Sequence, residues 1–483
     1  MFKLNYILNY YMKMEEIRRQ SLMSIFFQII LTIFGFFATI YFARTVGAEI
    51  LGAYFLFLSY LGIINMTSGA SIEGAAVKRI SEGKEQNEYF SAFVVLRTIL
   101  FIILIILLIL FRNYFQDLNN SGMFIWLLII LSITFFSGIL TSGITGRGKI
   151  GVNVLGSFIQ IVVQNIFQVI AIYLGYKVGG LAFGVAIGLI SFLILQIKFL
   201  DLHLVKFTKK HIKSLLSFSF WTVLTLGGSM VFIYADTIMI GYFMKNSDIG
   251  IYRIIFQFTS VMLFTTLALG NSLYVKVSFW DQRNEKNLIE KSFSKSLTYS
   301  LVLAFPIFVG GTLIGDKLLY FLYGAEFSDY LTLILLFFVQ FICILNYFLK
   351  LYLTAMNKIK EIFKIFSITA PLNIILNLLL IPMFGILGAA IASLLSLLLN
   401  AILSRNILIQ QIKLRPEYNS LFNIIKSSVI IGIFIIIYRL FIPLNNTLSV
   451  FIPIILCGII YTILILKTDK NIYEELKTIV KNV

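Results

Sequence analysis

Polar residues recur at helical spacing inside long apolar segments of this 483-residue chain. Gln160, Gln164 and Gln168 stand at i, i+4 and i+8, so a helix would carry them as one stripe down a single face. Such residues are costly in lipid and usually face a cavity or a neighbouring helix. The other polar candidates within apolar segments are Gln28, Arg97, Thr225, Ser229, Asp236, Arg253, Lys350, Asn373 and Asn377. These residues predict a water-filled cavity; the alternative is interhelical hydrogen bonds that hold a bundle together.

Asp236 and Arg253 are charged residues on consecutive apolar segments. Asp236 lies about six residues, or about 9 Å, from the end of its segment. Arg253 enters the next segment from the same side, so the sequence predicts an Asp236–Arg253 pair. That pair would either tie two helices together or take part in substrate or proton binding.

Three further charges are candidates for different roles. Arg97 and Lys350 have long stems that can extend to the membrane interface, and the alternative for each is an anion-binding role. Glu73 is predicted to pair with the nearby Lys78 or Arg79.

The sequence lacks the usual motifs of catalysis and metal binding. No GxxxxGK[ST] motif is present to hold nucleotide phosphates. The two histidines, His203 and His211, have no acids at metal-ligand spacing and are interpreted as surface residues. The two cysteines, Cys343 and Cys457, lie in apolar runs and are too few for a disulfide framework. We therefore expect no catalytic residue, no resident cofactor and no metal site.

Composition indicates that lipid is the solvent for most of the surface. The chain is 59% hydrophobic and only 13% charged, which is about half the charged share of a soluble domain. Its net charge of +17 alone would suggest a nucleic-acid partner. The basic residues instead fall in short breaks between apolar runs, which is typical of a polytopic membrane protein and excludes nucleic acid as the expected partner.

Fourteen apolar runs are long enough to cross a bilayer, which needs about 20 residues. They lie at 21–43, 51–77, 91–112, 123–143, 152–175, 179–198, 216–242, 249–275, 293–314, 329–354, 361–381, 386–408, 421–442 and 446–466. The sequence thus predicts an all-α polytopic membrane protein.

Loop charges predict the orientation of these spans. Thirty of the 39 Lys and Arg residues fall in segments on one side and six on the other, with three inside spans. The positive-inside rule therefore places both termini in the cytoplasm. No cleavable signal peptide is expected, since the first apolar run is too long for one. The charged linkers at 199–215 and 276–292 are expected to lie along the membrane surface.

Two weak similarities indicate an internal repeat. Gly52-x-Tyr54 recurs as Gly250-x-Tyr252, an offset of 198 residues, and the small residues at 180, 184 and 188 recur at 388, 392 and 396, an offset of 208. Both offsets span six helices. The sequence therefore predicts two six-helix lobes, at 1–200 and 201–412, followed by two C-terminal helices and a cytoplasmic tail at 413–483.

Several loose motifs, in this order and spacing, resemble one transporter family. They are Ala43-Arg44-x-x-Gly47-x-x-x-x-Gly52-x-Tyr54, Tyr234-Ala235-Asp236-x-x-x-x-Gly241-Tyr242-Phe243, Gly250-x-Tyr252-Arg253, Tyr323-Gly324-x-x-Phe327 and Ile381-Pro382-x-Phe384-Gly385-x-x-Gly388-Ala389-Ala390-Ile391-Ala392. The chain resembles the Wzx-type polysaccharide flippases of the multidrug/oligosaccharidyl-lipid/polysaccharide exporter superfamily.

That resemblance implies a fold and an activity. It implies two six-helix lobes, similar to those of multidrug exporters, around a central cavity. It also implies alternating access that carries a polyprenyl-(pyro)phosphate-linked oligosaccharide from the inner to the outer face of the cell membrane. The expected partners are this lipid-linked glycan, membrane lipids and polysaccharide-assembly proteins, and the expected state is a monomer. A coupling ion, H⁺ or Na⁺, is left open.

Two alternatives to a glycan flippase are open. A cation-coupled multidrug exporter of the same superfamily would need a deep acidic residue, and Asp236 is the best candidate. A membrane-embedded polymerase or ligase would act on the same glycolipids and change their mass.

Overall fold

The structure is a computed structural model, and it describes the backbone of residues 16–66, 69, 71–470 and 472–474. The side chains of residues 16–29, 31, 33, 71, 116, 120, 220–227, 271 and 272 lie outside the description. Within the described ranges all regular structure is helical. The predicted all-α membrane fold is thus confirmed.

The chain divides into two compact units, Met1–Gly227 and Gly228–Val483. The first unit contains α1 to α7 and the start of α8. Their bounds are α1 Glu16–Asn65, α2 Ser71–Ser81, α3 Gln86–Leu110, α4 Gln116–Asn120, α5 Met123–Gly146, α6 Ile150–Tyr173, α7 Val178–Phe199 and α8 Lys209–Phe243. A core of small and aromatic residues from α2 and α3 also takes in Leu202 and Leu215.

The second unit contains the end of α8 and eight further helices. Their bounds are α9 Asn246–Thr259, α10 Phe264–Gln282, α11 Lys286–Leu322, α12 Tyr330–Ala355, α13 Ile359–Phe384, α14 Ile386–Leu408, α15 Tyr418–Phe441 and α16 Thr447–Thr468. Side chains cap the N-termini of α12 and α16: Asp329 accepts from the Thr332 amide (3.1 Å), and Asn446 accepts from the Ser449 amide (2.7 Å). Such caps bind amides that the first helical turn leaves without a partner. The two C-terminal helices pack with α11 around Ile424, Ile431 and Tyr461.

Twelve helices in the described parts of the chain are long and apolar enough to cross a membrane. One of them, in α1, is two helices joined at a kink where Gly47 has a φ of 75°. The described part of the chain also has one shorter apolar helix, the Gly228–Phe243 part of α8. The predicted count of fourteen is consistent with these observations.

Two breaks interrupt runs that the sequence predicts to be continuous, whereas a third run stays unbroken at its proline. Helix α1 ends at Asn65 and α2 begins at Ser71; of the residues described between them, Gly69 has a φ of 146°, a conformation that glycine adopts without a Cβ clash. A single 3₁₀ turn, Ser260–Leu263, separates α9 from α10. Pro306 stays inside the 37-residue α11.

The segment after α7, which the sequence predicts to be a linker on the membrane surface, is bound to the first unit by hydrogen bonds. Residues 200–208 have no regular structure and bind the first unit: the His203 amide donates to Asn87 Oδ1 (3.0 Å) and the Val205 amide to Ser91 Oγ (2.8 Å). This segment is the N-strap below. The unit boundary consequently falls inside α8, later than residue 200. The lobe boundaries at 200 and 412 stay predictions.

The linker predicted at 276–292 is largely helical, and its position on the membrane surface stays a prediction. Helices α10 and α11 run through most of it and leave only residues 283–285 between them. The reason is that the charged side chains there do not interrupt helical backbone bonding, since straight-chain charged residues are good helix formers.

A second strap repeats the first in the other unit. In residues 409–417, here the C-strap, the Lys413 amide donates to Glu290 (2.7 Å) and the Arg415 carbonyl accepts from Ser294. Glu290 and Ser294 stand 203 residues after Asn87 and Ser91. The same helix start therefore holds the same kind of strap in both units, which supports the internal repeat.

Candidate functional site

A cluster of hydrogen-bonded polar side chains surrounds Asp236 in the second unit. Asp236 lies on α8 and is 7% exposed. Its carboxylate accepts from the Tyr252 hydroxyl (2.7 Å), the Asn377 amide (2.9 Å) and the Ser393 hydroxyl (2.5 Å). Four helices, α8, α9, α13 and α14, thus supply groups to one buried carboxylate. Ionised carboxylates accept only, so three donors satisfy most of its bonding capacity.

The predicted asparagine stripe extends this cluster along α13. Asn377 donates to Asn373 Oδ1 (3.2 Å), and Asn373 donates to the Ser396 hydroxyl (3.1 Å). Asn377 Oδ1 is buried and has no hydrogen-bond partner among the described atoms. Carboxylate, amide and hydroxyl oxygens are the ligands of hard cations. The cluster therefore has the chemistry to hold a proton or a small cation.

Arg253 does not form the predicted direct pair with Asp236. The residue before it, Tyr252, donates its phenol hydroxyl to this carboxylate. Arg253 is half-buried, with its guanidinium 5.5 Å from the Phe256 ring centre. Within the described residues, the side chains that bond to Asp236 are Tyr252, Asn377 and Ser393.

The first unit has a counterpart of this cluster without the acid. Tyr54, the repeat partner of Tyr252, accepts from the Gln168 amide (2.9 Å). The offset of 198 that relates the two tyrosines places Ala38 where the second unit has Asp236. The titratable group is therefore present in only one of two repeated positions.

The glutamine stripe on α6 lies along the glycine stripe on α7. A Cβ at Gly188 would lie 2.7 Å from the Gln160 carbonyl oxygen, so glycine permits this close approach. Gln168 is 1% exposed and also donates to the Leu181 carbonyl (2.9 Å), which favours the packing alternative for this residue. Gln160 and Gln164 are half-buried. A cavity-lining role for those two stays a prediction.

Arg97 is buried in the first unit against an acidic residue. It is 1% exposed, forms an ion pair with Glu73 and lies 3.3 Å from the Thr134 carbonyl. The predicted pairing of Glu73 with Lys78 or Arg79 is therefore wrong, because Arg97 on α3 lies close enough to form the ion pair with Glu73. A Cβ at Gly138 would lie 2.6 Å from Arg97 Cζ, so glycine on α5 makes room for the pair.

Lys350 is half-buried on α12 between two aromatic rings. Its ammonium lies 4.6 Å from the Phe366 ring centre and 5.8 Å from that of Phe232. In the part of the chain that the structure describes, no carboxylate lies within 4.0 Å of it. This setting differs from that of Arg97, which has an acid beside it.

Of the remaining predicted site residues, the structure describes the side chain of one, Ser229. Gln28 and Thr225 lie outside the described side chains, and Ser229 is half-buried on α8. Sequence reasoning did not select Tyr252 or Ser393, which complete the Asp236 cluster. Tyr252 stands in the repeated Gly-x-Tyr motif, so its recurrence was the available signal. Ser393 carried no such signal beyond its place next to Ala392.

Comparisons with known proteins agree with this fold. The family model described as "Polysaccharide biosynthesis protein" matches residues 17–274, more than half of the chain. The chain is 26% identical over 439 residues to a Haloferax volcanii protein named "Probable low-salt glycan biosynthesis flippase Agl15", which covers 90% of this chain and 93% of the relative. It is 23% identical to "Probable flippase AglR" of the same organism, over 96% and 98% of the two chains.

Solved structures show the same architecture. A "Lipid II flippase MurJ, inward closed conformation" superposes with a TM-score of 0.74 at 20% identity, over 94% of this chain and 99% of the other. An inward-facing multidrug resistance MATE family transporter gives 0.62 at 11% identity, over 79% and 95%. At these identities the likeness shows a common fold.

Proposed function

Because this chain belongs to the polysaccharide biosynthesis protein family, we propose that it is a flippase for a lipid-linked glycan. Its substrate in this proposal is an oligosaccharide on a polyprenyl (pyro)phosphate, a repeat unit of a cell-surface polysaccharide. The protein carries this substrate across the cytoplasmic membrane by alternating access and leaves its covalent structure unchanged.

One observation carries the proposal: the match to the relative named as a glycan biosynthesis flippase runs along nine-tenths of both chains. A multi-pass fold shared with the MurJ structure supports it. The Asp236 cluster adds a chemical reason, because a buried carboxylate is costly in a membrane span and such residues usually mark a substrate or ion pathway. In this proposal Asp236 binds the coupling proton or cation while the glycan is moved.

The direct test reconstitutes the purified full-length protein in lipid vesicles. The probe is a polyprenyl-pyrophosphate disaccharide with a fluorescent label on the sugar. Dithionite added outside reduces only label in the outer leaflet, so flipping appears as a loss of the protected half of the signal. We expect protection to disappear within minutes in protein-containing vesicles and to persist in empty ones. Equal protection in both would reject the flippase.

A cation-coupled multidrug exporter is the second candidate, since Asp236 also suits it and the MATE fold is shared. Vesicles loaded with ethidium and given a Na⁺ or proton gradient separate the two functions. Gradient-driven ethidium efflux without glycan flipping would establish the exporter.

Mass spectrometry of the recovered glycolipid tests the polymerase or ligase alternative. A flippase returns the probe at its original mass. A product of higher mass would instead establish a covalent reaction.

A further inference from the structure

The charged groups inside the spans differ in what lies beside them. The guanidinium of Arg97 lies against the carboxylate of Glu73. Lys350 has the faces of Phe366 and Phe232 as its nearest charge-stabilising contacts. Among the described residues it has no acidic partner, although it lies on a helix long and apolar enough to span the membrane.

Three helices hold this aromatic clamp, which consists of Phe232, Phe366 and Lys350. Phe232 comes from α8, Phe366 from α13 and Lys350 from α12, and the two rings are 6.1 Å apart between centres. Phe366 is packed against Gly228, where a Cβ would lie 2.9 Å from its Cδ1. The rings are therefore fixed by packing, and they hold the ammonium within the bundle.

Aromatic faces attract a cation but do not neutralise it. The attraction comes from the ring quadrupole and is weaker than an ion pair. A cation taken out of water within a membrane span is normally paired with an anion. Lys350 also keeps three N–H donors that phosphate oxygens would accept from. The site thus has a positive charge with no carboxylate beside it among the described residues.

The depth of Lys350 fits a group that arrives from a membrane surface. It stands five residues before Ala355, the end of α12, or about 8 Å along the helix axis. Under the orientation that the loop charges predict, this end faces the cytoplasm. A phosphate at the head of a lipid lies at the same level when its tail stays in the inner leaflet.

We propose that Lys350 binds the phosphate that joins the lipid to its glycan, and that Phe232 and Phe366 hold the ammonium for it. This inference rests on the proposed function and identifies a phosphate ligand within it. The ligand class is a prenyl phosphate or pyrophosphate.

Equilibrium binding to the purified full-length protein tests this proposal. The probe is geranylgeranyl pyrophosphate, and geranylgeraniol serves as its neutral analogue. The variants are Lys350→Met, which removes the charge, and Lys350→Arg, which retains it. Lys295→Met is the matched control, because Lys295 is also half-buried, in the same unit, with an aromatic ring 6.0 Å from its ammonium.

We expect Lys350→Met to weaken pyrophosphate binding at least about tenfold, as loss of a charge-assisted hydrogen bond does. Lys350→Arg and Lys295→Met should stay within about threefold of the original protein, and geranylgeraniol binding should not change. Binding by Lys350→Met equal to that of the original protein would overturn the proposal. So would displacement of the probe by equal concentrations of phosphatidylglycerol or inorganic pyrophosphate, since either would show a general anion site.

A second variant covers the case in which Lys350→Met does not fold. Phe366→Leu keeps the lysine and removes the nearer ring, and we expect it to weaken pyrophosphate binding several-fold. Unchanged binding by this variant would count against the clamp.

The outcome is separable from that of the flippase assay. If the original protein flips the labelled glycolipid while Lys350→Met binds the probe normally, only the lysine assignment fails. If the original protein neither flips nor binds, the proposed function fails with it.

Discussion

Asp236 is held by neutral donors, and this determines what the residue can do. A carboxylate that an arginine neutralises has little reason to exchange a proton or cation. Here a phenol, an amide and a hydroxyl bond to it instead, at 2.5 to 2.9 Å. Each can turn toward another acceptor when the carboxylate takes up a proton or a cation. These contacts therefore fit the proposed role, in which Asp236 changes its charge while the glycan is moved.

Replacement of Asp236 by asparagine tests this role. The amide keeps the shape and one acceptor oxygen, so we expect the fold to persist with a melting temperature at or above that of the original protein, because a buried charge is removed. Flipping driven by an imposed Na⁺ or proton gradient should fall at least about tenfold, because the amide cannot take up a proton and lacks the negative charge that would attract Na⁺.

Asn400→Ser is the control for the Asp236 substitution. Asn400 is buried on α14 and bonds to Thr369 (2.9 Å), away from Asp236. It should respond to the gradient as the original protein does. Equal gradient responses of Asp236→Asn and the original protein would rule out coupling through Asp236.

Gly138 is a second residue whose identity follows from a neighbour. A Cβ there would overlap the Arg97–Glu73 pair, so Gly138→Ala should separate the buried Arg97 from its half-buried partner. Overpacking a core and breaking a buried pair each cost several kcal/mol at most, and we expect about 2 kcal/mol or more of lost stability.

Gly74→Ala is the matched change, since a Cβ at Gly74 would meet no atom within 4 Å. That helical position should become slightly more stable. Thermal unfolding in detergent measures both variants. Equal melting temperatures for Gly138→Ala and Gly74→Ala would contradict the packing argument.

At the scale of elements, the helices were predictable and the straps were not. A span is an apolar run of sufficient length, so its existence follows from local composition. The N-strap depends on Asn87 and Ser91, more than a hundred residues earlier in the chain. The residue pattern within 199–215 therefore could not predict hydrogen bonds to Asn87 and Ser91. The Arg97–Glu73 pair was missed for the same reason, whereas the nearby Lys78 and Arg79 were visible in sequence.

A charge cluster at the start of the N-strap gives it a defined pH dependence. Asp201 accepts from Arg147 (3.0 Å) and lies 3.0 Å from the Lys149 ammonium. The hydrogen bond from Arg147, followed by that from Lys149, lowers the pKa of Asp201 to about 2. A lowered carboxyl pKa stabilises the docked strap at pH values above the unfolded pKa of about 3.9. This stabilisation is lost as the pH falls toward 2.

Hydrogen exchange over residues 202–208 measures strap docking. Asp201→Asn should speed exchange about two- to fivefold at pH 7, the size expected for an exposed ion pair. The ratio of the two exchange rates should be the same at pH 5, because Asp201 is ionised at both values. Glu82→Gln is the control, since Glu82 pairs with Arg79 within one turn of the chain. An equal effect of both substitutions would exclude a specific role of Asp201.

At the scale of the whole molecule, a repeated architecture carries chemistry that is not repeated. The two straps, the two Gly-x-Tyr motifs and the two small-residue stripes recur in both units. The acidic residue and its serine and asparagine donors occur in one. The repeat was detectable in the sequence because backbone packing requires the same small residues twice. The Asp236 cluster was only half detectable, since its members come from four separate helices.

The orientation of the molecule is the last prediction, and it depends on the loop charges alone. Lysine and arginine are retained on the cytoplasmic side during insertion, and thirty of 39 lie on one predicted side. Lys206 and Lys413 should then be cytoplasmic, while Lys177 and Asn445 should be external. All four are exposed in the structure.

Single cysteines at these four positions, in a chain with both native cysteines changed to serine, report this orientation. A membrane-impermeant maleimide should label positions 177 and 445 in intact cells, and positions 206 and 413 only after the membrane is opened. Positions 177 and 206 lie in the first unit, and positions 413 and 445 lie in the second. The two units should therefore report the same orientation independently. Labelling of 206 or 413 in intact cells would reverse the orientation. It would also place the Lys350 end of α12 at the outer surface, where a substrate leaves rather than enters.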